Sequence, residues 1–410
     1  MNLIFKKPRG TQDILPQNTF KWRYVEQTLL NTALKYGFKE IRIPTFEHTD
    51  LFCRSVGDTS DIVEKEMYTF EDKSSRLITL RPEGTAGTIR AVLENSLLNQ
   101  GLPQKLMYIL SCFRYEKPDA NRLREFHQFG VELLGSSSPQ ADFEVISMAI
   151  EMFKNVGIEN ISLNINSIGC PTCRKEYKQS LINYMTSHKN NLCDVCKDRL
   201  LKNPMRILDC KEESCKNIAK NAPVILDFLC NDCKTHFSAL QKYLLEGKIK
   251  YTINTQIVRG LDYYTKTVFE LIANVNNSNV TICGGGRYDN LVSELGGPET
   301  PAFGFGIGLE RLISILTEQQ KIKISDEPCD IYIIALDEPS KLYTINLIKK
   351  FRQQGKVVET DLMGRSLKAQ MKYANKIGAK HTLVIGNDEI QKRKANLKNM
   401  ETSEITEIDI

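Results

Sequence analysis

Two short stretches put charge where a β-hairpin would ordinarily be apolar. In CFRYE, Arg114 and Glu116 stand two residues apart, so on a strand they share a face. In EFHQFGVE, Gln128, Gly130 and Glu132 keep the same alternation, and one hairpin face then offers Arg, Glu, Gln and Glu. Arg114 and Glu116 alone would read as an ion pair. Four such groups on one face do not pack unpaired into a core, so they line a cleft filled by water or ligand. GFGIGLERL removes every second side chain from a strand at Gly304, Gly306 and Gly308, which lets something flat lie on the backbone. Arg311 follows at the start of a helix, where amides and guanidinium together favour an anion. In QIVRGLDYYTKTVFE, Arg259, Tyr263 and Tyr264 gather where a β-rich run breaks. RPEGTAGTIR sets Glu83 and Thr85 at a turn into a helix, where Thr85 could also serve as the cap.

The cysteines are the other concentration of chemistry. Eight of twelve fall between Cys170 and Cys233, as Cys170-x-x-Cys173, Cys193-x-x-Cys196, Cys210-x4-Cys215 and Cys230-x-x-Cys233. Pairs of this spacing bite one structural zinc ion. Eight thiols can serve two ions, four can serve one, or all can stay unmetallated; for a single site the choice is Cys193, Cys196, Cys230 and Cys233. None of the five histidines stands at ligand spacing from another, and His127 reads as a hairpin residue near the cleft.

The elements that must hold these groups can be read from periodicity. Trp22, Val25, Leu29, Ala33 and Tyr36 recur at helical spacing and Gly37 ends the run. QKLMYILSCFRYE and EFHQFGVELLG form a long antiparallel hairpin, and AFGFGIG is a strand running straight into a helix. Residues 170–250 turn lysine-rich and helical, a module inserted into a β-rich domain spanning 1–327. From 328 to 410, strands and helices alternate as a small α/β domain with a mostly parallel sheet. The fold class expected is α+β: an antiparallel sheet flanked by helices, with a helical insertion and a C-terminal α/β domain. The length suits two or three domains, and 41% hydrophobic with 26% charged residues is ordinary for a globular chain. A net charge of +5 permits a polyanionic partner without arguing for one. No apolar run has membrane-span length, and the first residues lack signal-peptide order, so a cytoplasmic protein is expected.

Taken in order, these motifs resemble the class II aminoacyl-tRNA synthetases. GFKEIRIPTFEH with Pro44 resembles their first motif, at the dimer interface; FRYE…REFHQFGVE resembles the second and GFGIGLERL the third. RGLDYY and GGRYDNL resemble the two signature peptides of the histidyl-tRNA synthetases, and the opening RGTQDILP fits the same family. The resemblance runs almost end to end. It implies activation of histidine with ATP and Mg²⁺ to an adenylate, transfer to the 3′ end of tRNA(His), a homodimer, and an anticodon-binding C-terminal domain. It also implies roles. Arg259 and Arg114 would hold the α-phosphate and carboxylate, Arg311 the γ-phosphate end, and Glu116 the adenine amino group. Glu83, Thr85 and Gln128 would hold the α-amino side of histidine, while Glu132, Tyr263 and Tyr264 read the imidazole. The hairpin loop departs from the family pattern with Asp119 and Asn121, leaving Arg122 and Arg124 for backbone contacts to the tRNA acceptor end. Two rivals are a non-catalytic paralogue regulating ATP phosphoribosyltransferase and a tRNA-binding protein without ligase activity. The C-terminal domain counts against the first, and the three intact arginines against both.

Overall fold

The computed structural model describes residues 4–57, 60–119, 122–275, 278–322 and 329–410. The chain forms two compact units, Met1–Lys323 and Ile324–Ile410. The boundary expected at 327/328, and Asn121 of the hairpin loop, lie outside the described residues.

In the larger unit the strands are β1 Lys39–Glu40, β2 Phe46–His48, β3 Tyr68–Glu71, β4 Leu77–Leu80, β5 Gln104–Phe113, β6 Glu125–Leu134, β7 Ile161–Ser167, β8 Tyr251–Ile253, β9 Thr265–Val275, β10 Ser278–Arg287 and β11 Ala302–Gly308. The helices are α1 Pro16–Lys35, α2 Thr49–Val56, α3 Thr85–Glu94, α4 Pro139–Val156, α5 Pro171–Ser187, α6 Asp194–Lys202, α7 Glu213–Ala219, α8 Asn231–Glu246, α9 Leu291–Glu294 and α10 Leu309–Glu318. One sheet runs in the order β1-β5-β6-β11-β10-β9-β7-β8, antiparallel except for the parallel pairs β1/β5 and β7/β8 at its two edges. A small sheet, β2-β4-β3, stands beside it.

The alternation of the strands divides the large sheet into two chemically different faces. Phe129, Val131, Phe269, Phe303 and Phe305 point into the main core with Trp22, Val25 and Leu29 of α1, Met148 and Phe153 of α4, Leu244 of α8 and Leu312 of α10. Each fully buried side chain of this kind is worth about 1.5–3 kcal/mol, so this face anchors the sheet. The opposite face carries Tyr108, Gln128, Glu132, Tyr263, Tyr264 and Tyr288. His127 falls on the helix-packed face: its Nδ1 lies 2.8 Å from Glu310 and its ring stands edge-on to Trp22. It is therefore not a cleft residue, because its odd position sends it to the other side from Gln128. Two expectations change. Arg114 and Glu116 follow the end of β5 at Phe113, and Gln256–Ile257–Val258 is not a strand. There the Asn166 amide donates to the carbonyls of Thr255 and Ile257, replacing ladder bonds with a side chain.

The insertion leaves from β7 and returns at β8, which pairs parallel to β7 with Leu163 opposite Tyr251. It thus serves as the crossover that a parallel pair requires. Its return helix α8 is tied down by His236, 2.8 Å from buried Asp142 of α4, which also pairs at 2.6 Å with Arg287 of β10. The cysteines fall into two groups of four: Cys170, Cys173, Cys230 and Cys233, and Cys193, Cys196, Cys210 and Cys215, each with its sulfurs within 4.8 Å of one another. The quartet Cys193, Cys196, Cys230 and Cys233 is not brought together. The chain neck pairs the first C-x-x-C with the last, while the two middle pairs meet inside the module.

The smaller unit contains β12 Ile331–Ala335, α11 Glu338–Gln353, β13 Val358–Thr360, α12 Leu367–Lys376, β14 His381–Ile385, α13 Asn387–Lys392, β15 Lys394–Asn399 and β16 Ile405–Asp409. Its sheet order is β13-β12-β14-β15-β16, parallel among the first three and antiparallel thereafter. It is mixed rather than mostly parallel, because the link from β14 through the six-residue α13 reverses the chain instead of crossing over.

Candidate active site

Glycines shape the cleft by yielding their own space to neighbouring side chains. Gly304 of β11 pairs with Glu132 of β6, and a Cβ on Gly304 would lie 2.2 Å from Glu132 Oε2 and 2.3 Å from the Val131 carbonyl. On Gly306 it would meet Gln128 Nε2 at 2.5 Å, and on Gly284 of β10 the Arg259 guanidinium at 2.4 Å. The strand face expected to lie bare is thus filled at Gly304 and Gly306. Only the Gly308 end is open, with nothing within 4 Å of a Cβ there.

Glu132 is 1% exposed and is held between two phenols. Tyr108 Oη donates to it at 2.8 Å, and Tyr288 Oη donates to its other oxygen. Burial pushes its pKa up to about 8, with the phenols and the Thr85 hydroxyl opposing. Tyr108 reaches this point only because Gly84 and Gly130 leave room, since a Cβ on either would fall within 2.4 Å of its ring. Tyr263 and Tyr264 are buried beside it, their rings 4.7 Å apart, and Tyr288 meets Tyr263 edge-on at 5.5 Å.

Glu83, rather than Thr85, caps α3. Its carboxylate accepts from the amides of Thr85 at 2.6 Å and Ala86 at 2.8 Å. Burial raises its pKa, while those amides and Arg114 favour the charged form. Gln128 accepts from the Gly84 amide at 3.2 Å and so links sheet to helix start. Arg259 is anchored through a 2.6 Å ion pair to Glu270 of β9. Arg114 donates to the Pro82 carbonyl at 2.9 Å. These groups line one cleft of about 230 Å³.

A second cleft of about 400 Å³ shares Arg114, Phe126 and Gly308 with the first and adds Glu66, Glu116, Arg122 and Arg311. Glu116 lies 3.9 Å from Arg114 and 3.6 Å from Arg122. Arg311 donates to the Thr281 carbonyl at 2.8 Å, and burial and the nearby Arg122 charge lower its pKa. Such crowded cations gain from an arriving anion. Arg124 stacks on Tyr115 at 3.8 Å, and its amide donates to the Gly10 carbonyl at 2.7 Å. Its side chain packs the hairpin base, while Arg122 reaches the cleft. Arg287 is fully buried among Asp142, Asp289 and the Ser136 and Ser138 carbonyls, a framework residue.

Tyr108, Phe126 and Glu270 were not singled out in the sequence. Tyr108 stands opposite Gly130 in the hairpin and so shares the face of Gln128 and Glu132, which is a usable signal; Glu270 carries none, since its partner lies on a loop.

Residues 10–172 and 208–312 match the family model for histidyl-tRNA synthetase, and residues 330–410 match an anticodon-binding domain. The chain belongs to the histidyl-tRNA synthetase family. It is 52% identical over 410 residues to the histidine–tRNA ligase of Acetivibrio thermocellus, covering 100% of this chain and 98% of that one. It is also 52% identical over 407 residues to that of Caldanaerobacter subterraneus subsp. tengcongensis, covering 99% and 97%. The crystal structure of the apo histidyl-tRNA synthetase of S. aureus superposes with a TM-score of 0.84 at 39% identity, over 99% of this chain and 97% of that one. The matched region of the histidyl-tRNA synthetase model takes in every cleft residue named above and omits 173–207 of the insertion.

Proposed function

We infer that this chain is a histidine–tRNA ligase. It joins histidine to ATP as histidyl-adenylate with release of pyrophosphate, then transfers histidine to the 3′ end of tRNA(His) with release of AMP. The observation that carries this reading is Glu132, a buried carboxylate held by two phenols at the closed end of a tyrosine-walled cleft. An imidazole N–H adds a donor to the two phenols that already hold this carboxyl, and an apolar side chain of similar size brings none. Glu83, Thr85 and Gln128 receive the α-amino group, and Tyr263 and Tyr264 wall the ring.

Attack of the substrate carboxylate on the α-phosphate builds charge on the phosphoryl oxygens. Arg259 and Arg114 stabilise that charge, and Glu270 fixes Arg259 before substrate arrives. In the adjoining cleft, Phe126 offers a face to the adenine, Glu116 accepts from its amino group, and Arg311 meets the γ-phosphate end. Mg²⁺ would come with the phosphates, and the cleft carboxylates Asp61 and Glu66 are the donor type that would hold it. No protein nucleophile is needed, since the substrate carboxylate and then the tRNA hydroxyl attack. Of the two expected acceptor-end contacts, Arg122 lines the second cleft and is the one available to a tRNA phosphate, while Arg124 is stacked on Tyr115. The exposed Phe46, Phe70 and Leu77 of the small sheet suit burial in a homodimer, and sedimentation tests that. No helix among the described residues is long and apolar enough to cross a membrane, in keeping with a cytoplasmic ligase.

The test is pyrophosphate exchange into ATP across the twenty amino acids. Exchange driven by histidine alone supports the reading. Silence with all of them, in folded protein, returns the regulatory or tRNA-binding alternatives.

A further inference from the structure

The eight thiols of the insertion are unused by the chemistry above. We propose that they bind two zinc ions in closed tetrathiolate sites, one held by Cys170, Cys173, Cys230 and Cys233, the other by Cys193, Cys196, Cys210 and Cys215. Neighbouring sulfurs lie 3.5 Å apart for Cys170 and Cys173, 4.0 Å for Cys170 and Cys230, and 3.9 Å for Cys193 and Cys210. A tetrahedron with Zn–S bonds of about 2.3 Å requires sulfurs about 3.8 Å apart. A disulfide requires about 2.05 Å, so these are not closed pairs.

The surrounding backbone favours thiolates. Cys170, Cys193 and Cys230 each immediately precede the first turn of a helix, with the second cysteine of the pair inside that turn. Helix amides there stabilise negative sulfur. The Cys230 amide donates to Cys173 Sγ at 3.1 Å, and the Cys193 amide to Cys215 Sγ at 3.3 Å. Gly169 has φ +65°, and a Cβ on it would meet Cys173 Cβ at 2.6 Å, so the chain is bent to admit the sulfur. The module also needs staples: its core counts Cys173, Cys196, Cys210, Cys215 and Cys233 among its buried members.

The first site also braces the histidine pocket. Ile168 and Gly169 exchange backbone bonds with Lys266, and Arg174 donates to the Tyr264 carbonyl at 3.2 Å. An ion on Cys170 and Cys173 therefore fixes the start of β9 and the segment just before it, which carries Tyr263 and Tyr264. This bracing role rests on the ligase reading; the metal count does not.

Full-length protein purified without chelator is expected to carry two zinc ions per chain by elemental analysis. The Cys173→Ser/Cys233→Ser and Cys196→Ser/Cys215→Ser variants are each expected to carry one. Cobalt(II) substitution reads the donor set even where a variant fails to fold, and tetrathiolate charge-transfer and visible bands at two equivalents per chain are expected. Fewer than two ions in the parent, iron in place of zinc, or cobalt bands lacking tetrathiolate character overturns the proposal. In the first variant the KM for histidine rises more than that for ATP. An unchanged ratio removes the bracing role and leaves the metal sites standing.

Discussion

Replacing Glu132 with glutamine separates the energetic burden of a buried carboxylate from its use. The carboxyl has a pKa of about 8 against an ordinary value of 4.5, and it is 1% exposed. The folded state therefore keeps a proton that the unfolded chain releases. Below pH 4.5 both states are neutral; as pH rises towards 8 the unfolded chain binds fewer protons and stability falls. Across that whole range the loss approaches about 5 kcal/mol, at 1.4 kcal/mol per decade. Between pH 6 and 8 it comes to about 2 kcal/mol. Glu132→Gln has no such titration, so ligand-free parent should lose about 2 kcal/mol more than the variant over that interval. Trp22, the single tryptophan, sits in the core of the catalytic unit and reports its urea unfolding by fluorescence. Groups such as His127 titrate equally in both chains and cancel. Parallel pH dependence in parent and variant would refute the reasoning. The variant should at the same time lose histidine-driven exchange, because a neutral amide cannot balance an imidazole in the same way.

Three further outcomes follow from the geometry. Arg259→Ala should lower kcat for pyrophosphate exchange by about 10²–10³-fold, with a smaller change in the KM for histidine, as loss of one oxyanion donor does. Gly308→Ala should leave the urea midpoint unchanged, since its Cβ meets nothing, yet raise the KM for ATP about tenfold through about 1–2 kcal/mol of crowding on the open strand face; an unaltered KM would move the nucleotide elsewhere. Arg287→Met removes the cation beside buried Asp142, leaving it only the His236 ring, and should cost about 3–5 kcal/mol, read as a fall in the urea midpoint.

Part of the hairpin face was legible because period-two alternation is local: Gln128 and Glu132 share one face of β6, whereas Arg114 and Glu116 lie past the end of β5 and reach the clefts from the loop. What holds them was not. Tyr108 and Tyr288 meet Glu132 only because β6 lies between β5 and β11 and the chain returns beside it after β10, and strand order is a property of distant segments. The glycines of β11 were read as a surface for a flat ligand, yet their missing side chains mostly admit those of neighbouring strands. His127 lies on the hairpin beside the cleft residues as read, and its odd position turns its ring to Glu310 and Trp22 on the other face. The thiol pairs were visible from spacing, but which pairs meet depends on how the module folds back on itself. The mixed C-terminal sheet turned on the shortness of α13, too small a helix to read with certainty of direction from periodicity.

The neck of the insertion has a consequence for how such a chain can change over time. The outgoing Cys170–Cys173 and incoming Cys230–Cys233 pairs meet where the module joins the sheet, while the return helix α8 belongs to the catalytic core through Leu240 and Leu244. Sequence between residues 174 and 229 is thus a cassette closed at its own base. It can be lengthened or trimmed without rethreading β7 and β8, provided the residues by which it touches the cleft loops stay in place: Arg174 on the Tyr264 carbonyl, Asn203 on Asp262, and Arg206 on Asp61 and the Gly260 carbonyl.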